Sequence, residues 1–253
     1  MESVRFKEMI ERALRSQEPD VEFIRRATAS GQRLGVFAAS FNPVTTAHLE
    51  LMNFASSQFS LDEMLALAGA TNADKDSYSC SLEDRLEMLL LTFEGDSRVS
   101  IGISSHAYFV DMIDAIKPVY PPETELYFIL GFDTFERLLD RADQYTAKYH
   151  RKFTGRRESL DFVFKHSCLI VAGRAGAGRE SIKAVIESEI PSYADRVFFL
   201  DTPQGLGERS ATEIRESVQA GLSISGLVPT AVERYVIERG IYRTSDAGAS
   251  KEK

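Results

Sequence analysis

A chain of 253 residues has room for one large domain with a small annex, and 43% hydrophobic with 27% charged residues is the composition of a globular protein with an ordinary core. A net charge of −8 argues against general nucleic-acid binding, which needs a basic face, so an anionic ligand must be met by locally placed cations and backbone amides. The charged opening stretch MESVRFKEMIERALRS lacks the apolar core of a signal peptide, and no run approaches the roughly 18 apolar residues of a membrane helix.

In chain order, Val4, Met9, Ile10, Ala13 and Leu14 fall near one face of a helix over residues 3–16. A second, shorter helix is expected over 20–29, then a linker to the first strand, LGVFAA at 34–39. A helix over 47–59 precedes a strand at EMLALAG (63–69), and the capping pattern SLED from Ser81 opens the next helix. Strands RVSIGI (98–103) and ELYFIL (125–130) are each followed by a helix, at 108–116 and 134–139. Residues 140–160 are polar and basic and read as an excursion. Strand SCLIVAG (167–173), a helix at 179–189, strand RVFFLD (196–201) and helices near 211–220 and 230–239 complete the pattern, with Gly240 as the last C-cap. The expected architecture is α/β: a Rossmann-like, doubly wound parallel sheet with C-terminal helices. Its divisions are an N-terminal helical extension (1–33), a main domain (34–243) and a disordered tail (244–253).

Ligands bind such sheets beyond the carboxyl ends of the strands, which directs attention to three loops. In GVFAASFNPVTTAH (35–48), Ala38, Ala39 and Ser40 are small enough for close approach of a ligand, Asn42-Pro43 turns the chain, and Thr45 or Thr46 can cap the next helix. His48 in that helix's first turn, protonated or donating, would add a phosphate contact to the helix amides. A capped turn with an incidental histidine fits the spacing equally well. In GERSATEIRESV (207–218), Ser210 and Glu213 form a capping box, with Arg215 a turn later. This is either a phosphate fork or a well-capped surface helix. GRAGAGRES (173–181) imitates a phosphate loop, but Arg179 and Glu180 replace its lysine and hydroxyl, so a loop offering Arg174 to a nucleotide is the better reading. Cys80 and Cys168 have no metal-ligand spacing and read as reduced structural thiols. His106, His150 and His166 read as structural or exposed.

SFNPVTTAH resembles the (H/T)xGH signature of the nucleotidylyltransferase superfamily, in the FNPxTxxH form of nicotinamide/nicotinate mononucleotide adenylyltransferases. SATEIRESVQAGLSISGLVPTAVERYVIERGIYR is similar to that family's SSTxIR segment, and FILGFDTFERL to its GxD segment. The resemblance spans residues 34–243 and implies transfer of AMP from ATP to the 5′-phosphate of a pyridine mononucleotide in NAD biosynthesis, with Mg2+ accompanying ATP. It implies that His48, Thr45 and Arg215 are catalytic. It assigns Ala39, Ser40, Phe41, Gly131, Asp133, Arg174, Ser210 and Thr212 to ATP, along with His48 and Arg215. Ser40, Lys75, Phe135 and Tyr145 would meet the mononucleotide.

There are departures from the family pattern. Ala39 stands for a glycine and fits only with negative φ, Ala211 replaces one serine, and no tryptophan is present to stack on a pyridine ring. Aromatic candidates after GxD are Phe135, Tyr145 and Tyr149. A divergent transferase or nucleotide hydrolase, or a nucleotide-binding regulator on the same fold, are the competing readings. The expected location is cytoplasmic, with neither nucleic acid nor membrane as partner; a homo-oligomer stays open.

Overall fold

The computed structural model describes residues 2–28, 31–70, 80–149, 153–173, 178–203 and 210–243. Helix α1 (Glu2–Arg15) leads into strand β1 (Val21–Arg25), β2 (Arg33–Ala39), α2 (Thr46–Phe59), β3 (Glu63–Gly69), α3 (Leu82–Thr92) and β4 (Val99–Ser104). Then come α4 (Phe109–Ile116), β5 (Glu125–Gly131), α5 (Phe132–Leu138), α6 (Gln144–Tyr149), α7 (Arg156–His166) and β6 (Ser167–Ala172). The described chain ends through α8 (Arg179–Glu189), β7 (Val197–Leu200), α9 (Ala211–Gln219) and α10 (Thr230–Arg239).

The strands form one seven-stranded sheet of order β1-β4-β3-β2-β5-β6-β7. Only β1 runs antiparallel, against β4; the other five neighbouring pairs are parallel. Strand order reverses at β2, whose neighbours are β3 and β5. At such a reversal the connecting chains leave to opposite sides, and a crevice opens beyond the carboxyl ends of the two strands.

The strands' period of two builds two cores. Phe37, Met64, Ala66, Ala68, Ile101 and Ile103 face one side, against Met9 and Ile10 of α1, Met52 of α2, Leu86 and Leu89 of α3 and Val232 and Val236 of α10. Leu34, Val36, Leu65, Leu67 and Phe128 face the other, against Ile113 of α4, Leu138 of α5, Val163 and Phe164 of α7 and Ile182 of α8. Helix ends follow local chemistry. The Ser81 side chain accepts the Asp84 N–H at the start of α3, and Gly240 closes α10 at φ 65.

The helix expected over 20–29 is not formed. Val21, Phe23 and Ile24 instead supply β1, which takes the otherwise open edge of β4. Arg25 fixes it there by donating to the carbonyls of Phe93 at 2.8 Å and Val99 at 3.1 Å. A ladder along an existing sheet edge outweighs weak local helix preference. The excursion at 140–160 likewise holds order that the sequence reading missed, since α7 begins at Arg156 and buries Leu160, Val163 and Phe164.

Deletion of residues 1–28 should therefore expose the β4 edge and the apolar seat of α1. The expected product is aggregation-prone by size-exclusion chromatography; a monodisperse truncated protein with unchanged Tm would show the segment to be an appendage.

Candidate active site

Just past β2 the backbone turns sharply. Phe41 adopts φ 47, and the Asn42–Pro43 peptide is cis. A left-handed conformation costs a bulky residue about 1–2 kcal/mol, and here the fully buried Phe41 ring holds it in place. That ring lies 6.0 Å from Phe37 and 5.4 Å from His48.

Thr45 caps α2, and its hydroxyl accepts the His48 N–H at 3.2 Å. In return the His48 ring accepts the Thr45 N–H at Nδ1, 3.1 Å away. This is a capping box with imidazole in the place that Glu or Gln usually takes. Because Nδ1 accepts, the ring hydrogen sits on Nε2. Burial between aromatic rings pushes the His48 pKa down to about 4. Of the two forms expected from the sequence, protonated or neutral donor, the geometry selects the neutral one.

The second motif reaches this turn directly. Arg215 donates from Nη1 to the Asn42 carbonyl at 2.7 Å and from Nη2 to the Thr212 hydroxyl at 3.0 Å. Thr46 donates its N–H to the Leu227 carbonyl at 3.0 Å and its hydroxyl to that of Gly226 at 3.1 Å. Between the two motifs lies a cleft of about 250 Å³ at the strand reversal. Ala39, Thr45, His48, Gly131, Thr134, Ala172, Gly173, Thr202, Ser210 and Ala211 are among the residues lining it. Gly131 has ordinary extended backbone, φ −76, and a Cβ there would meet nothing within 4 Å. Neither conformation nor packing calls for glycine at this position, and its open face lines the cleft.

The sequence profile of the Cytidylyltransferase-like family matches residues 36–217. The chain belongs to that family. It is 28% identical over 218 residues to a probable nicotinate-nucleotide adenylyltransferase of Dictyoglomus thermophilum, covering 83% of this chain and 99% of that protein. A probable nicotinate-nucleotide adenylyltransferase of Saccharopolyspora erythraea is 29% identical over 231 residues, with 87% and 94% covered. In structure the chain is similar to Plasmodium falciparum nicotinic acid mononucleotide adenylyltransferase complexed with NaAD, with a TM-score of 0.63 at 17% identity, covering 84% of this chain and 98% of that one.

In this cytidylyltransferase-like protein the residues expected at the site divide into three groups. His48, Thr45, Ala39, Gly131 and Ser210 line the cleft, whereas Arg215 is held at the turn beside it by the Asn42 carbonyl and Thr212 accepts from Arg215, neither being part of the lining. Ala39 lies in β2 and is not among the positive-φ residues, so its methyl group is accommodated. Ser40 offers its backbone at the end of β2, where Arg85 holds its carbonyl. Asp133 is exposed in the first turn of α5, beside Gly131.

Three residues expected at the site are not in the cleft lining. Phe41 is fully buried and packs against His48. Phe135 is fully buried in the core beneath α5 and presents no stacking face. Tyr145 stacks on Tyr108 at 6.4 Å, away from the cleft lining. Lys75, Arg174 and His150 lie outside the described residues. His106 pairs through Nδ1 with the Ser105 hydroxyl at 2.8 Å, and His166 packs on Phe162 at 4.5 Å, both as expected of structural histidines.

The sequence reading missed Arg85, Asn42 as an acceptor, Thr134 and Thr202. The threonines sit just past β5 and β7, where the strand-end rule could have found them. Arg85 is 1% exposed, and its guanidinium bridges the carbonyls of Ser40 at 2.9 Å and Gly69 at 3.3 Å, joining the ends of β2 and β3. No signal in the sequence separates it from a surface arginine. Among the described residues no cluster of three or more His, Cys, Asp or Glu could hold a metal ion, and no helix is long and apolar enough to cross a membrane.

The four histidines allow a direct check of the His48 state. Its NMR signal, assigned with His48→Gln, should titrate near pH 4, because desolvation between the rings penalises the charged form; a midpoint near 6.5 would contradict the half-buried neutral tautomer. The sign for stability follows. The unfolded chain takes up this proton near pH 6.5 and the folded chain only near 4, so the contribution of His48 is complete above 6.5 and drains as pH falls toward 4.

Proposed function

We propose that the protein is an adenylyltransferase of NAD biosynthesis. It joins the AMP part of ATP to the 5′-phosphate of nicotinate or nicotinamide mononucleotide and releases pyrophosphate. The observation that supports this reading is one cleft lined by both motifs, by Thr45 and His48 of the first and by Ser210 and Ala211 of the second, with Arg215 tied to the turn at Asn42. The names of the relatives favour the nicotinate form.

In the reaction an oxygen of the mononucleotide phosphate attacks the α-phosphorus in line. The bond from that phosphorus to the oxygen bridging to the β-phosphorus breaks, and its electrons leave on pyrophosphate. No protein nucleophile is needed, so the chain's task is positioning and charge stabilisation. His48 donates from Nε2 to a phosphate oxygen without giving up its proton. The start of α2 adds its dipole. Arg215, with five N–H donors of which two are used inside the protein, holds the β- and γ-phosphates. Thr212 accepts from Arg215 and keeps its own O–H for the same phosphates. Ala39, Ser40, Gly131 and Asp133 serve the nucleoside through close backbone contact and the ribose. Magnesium arrives as part of the ATP substrate, chelated by its phosphates. Lys75 and Arg174 are assigned to the mononucleotide phosphate and to ATP by resemblance. The transferase unit is residues 34–243, with β1 completing its sheet, and the enzyme acts in the cytoplasm.

Burial of Phe135 removes one of the three aromatic platforms expected for a pyridine ring, so the assay must include other acceptors. Purified protein with ATP, magnesium and nicotinate mononucleotide should release pyrophosphate and form the dinucleotide. Release with water alone would make it a hydrolase; ATP binding without turnover would make it a regulator. His48→Ala should lower kcat by about 100- to 1000-fold with a modest change in ATP affinity. Arg215→Ala should weaken ATP binding by about tenfold or more in calorimetry, and unchanged affinity would remove it from the site.

A further inference from the structure

Three side chains from outside the turn grip two of its residues, Ser40 and Asn42. Arg85 holds the Ser40 carbonyl at 2.9 Å, and Arg215 holds the Asn42 carbonyl at 2.7 Å. The third is Tyr242, whose hydroxyl donates to Oδ1 of Asn42 at 2.7 Å, across 200 residues of chain. Tyr242 lies beyond the last helix, near the end of the segment that opens at Ser210 and contains Arg215.

The backbone around it holds the phenol against Asn42, with the Cys80 thiol as a second neighbour of the hydroxyl. Gly240 at φ 65 ends α10 in the left-handed region, and Tyr242 itself stands at φ 67. A left-handed tyrosine is costly and persists because the ring is held, 7% exposed, in the same core as Phe41, Val44 and Ile214. Burial raises the phenol pKa well above its usual value, so it stays a donor at any working pH. One residue, Asn42, therefore carries Tyr242 on its side chain and Arg215 on its carbonyl. If the side chain is released, the peptide plane that anchors the guanidinium loses one of its supports.

We propose that Tyr242 is a positioning residue for nucleotidyl transfer: through Asn42 it sets the anchor, and hence the aim, of Arg215 toward the triphosphate. This rests on the reading that Arg215 binds ATP. A plain structural anchor would also bury a tyrosine here, but its loss would act on stability and not through Arg215.

The test is a double-mutant cycle read by calorimetry of magnesium-ATP binding, which requires no acceptor. Tyr242→Phe keeps the ring and its packing and removes only the hydroxyl. Its Kd for ATP should rise about five- to tenfold, the scale of one hydrogen bond, with Tm shifted by only a few degrees. In an Arg215→Ala background the same change should add less than about twofold, because its effect passes through that guanidinium. An unchanged Kd in Tyr242→Phe would overturn the proposal, and so would a full effect that persists without Arg215. Wild-type protein that binds ATP but transfers nothing to a mononucleotide would refute the proposed acceptor while leaving this cycle to decide on Tyr242. Wild-type protein that binds no ATP would sink both.

Discussion

One hydrogen bond, from the guanidinium of Arg215 to the carbonyl of Asn42, joins two parts of the chain 173 residues apart and makes a site of them. Parallel strands put every carboxyl end on the same side of the sheet, and the reversal of order at β2 opens the crevice. That geometry alone yields a cleft lined by alanines and glycines. The C-terminal segment adds the start of α9, Ser210 and Ala211, to the lining, and it is tied to the start of α2 where Leu227 and Gly226 accept from Thr46. The contacts are reciprocal. The turn that presents His48 would be poorly supported without the C-terminal segment, and Arg215 would have no anchor without the turn.

The imidazole has a less usual role than its position suggests. A histidine near a phosphate invites a protonated reading, yet this one spends Nδ1 on the Thr45 N–H and is enclosed by Phe37 and Phe41. Holding it neutral costs the site one unit of positive charge. In exchange it fixes the direction of the Nε2–H, which a charged ring with two donors would not do. Catalysis without a protein nucleophile depends on dipoles aimed in advance, and a locked neutral tautomer is such a dipole.

Much of this was legible in the sequence because the informative features are local. The strands at 63–69 and 125–130 are short apolar runs beside helical patterns, the caps at Ser81 and Ser210 are set by neighbouring side chains, and the two motifs lie in the expected order. What escaped was decided by distant partners. Residues 21–25 became a strand because β4 offered an edge. Arg85 looks like any arginine on a helix until the ends of β2 and β3 are seen to share it. Phe135 looked available because it follows GxD, but the helical period turns it inward beneath α5. The α7 stripe of Leu160, Val163 and Phe164 was readable at spacings of three and four and was obscured by its basic flank.

An acidic protein that binds a polyanion must solve an electrostatic problem, and α9 shows how narrowly it is solved. The capping box places the Glu213 carboxylate on the Ser210 N–H at 2.6 Å, and the Ser210 hydroxyl on the Glu213 N–H at 3.2 Å. The Ser210 hydroxyl also donates to that carboxylate at 2.9 Å, so both donors of Ser210 are engaged inside the protein. The amides of Ala211 and Thr212, the first two helical positions, have no intrahelical acceptor, and Ala211 lines the cleft. The small side chain at 211, read from sequence as a lost hydroxyl, leaves those amides open to approach. A phosphate bound here, as the proposed function requires, would be met by backbone dipoles and one anchored guanidinium, within a field that the net charge of −8 otherwise makes unfavourable. Affinity in such a site depends more on where Arg215 points than on how many cations surround it, which is why the supports of a single turn, from Arg85 beneath Ser40 to Tyr242 on Asn42, carry so much of the function.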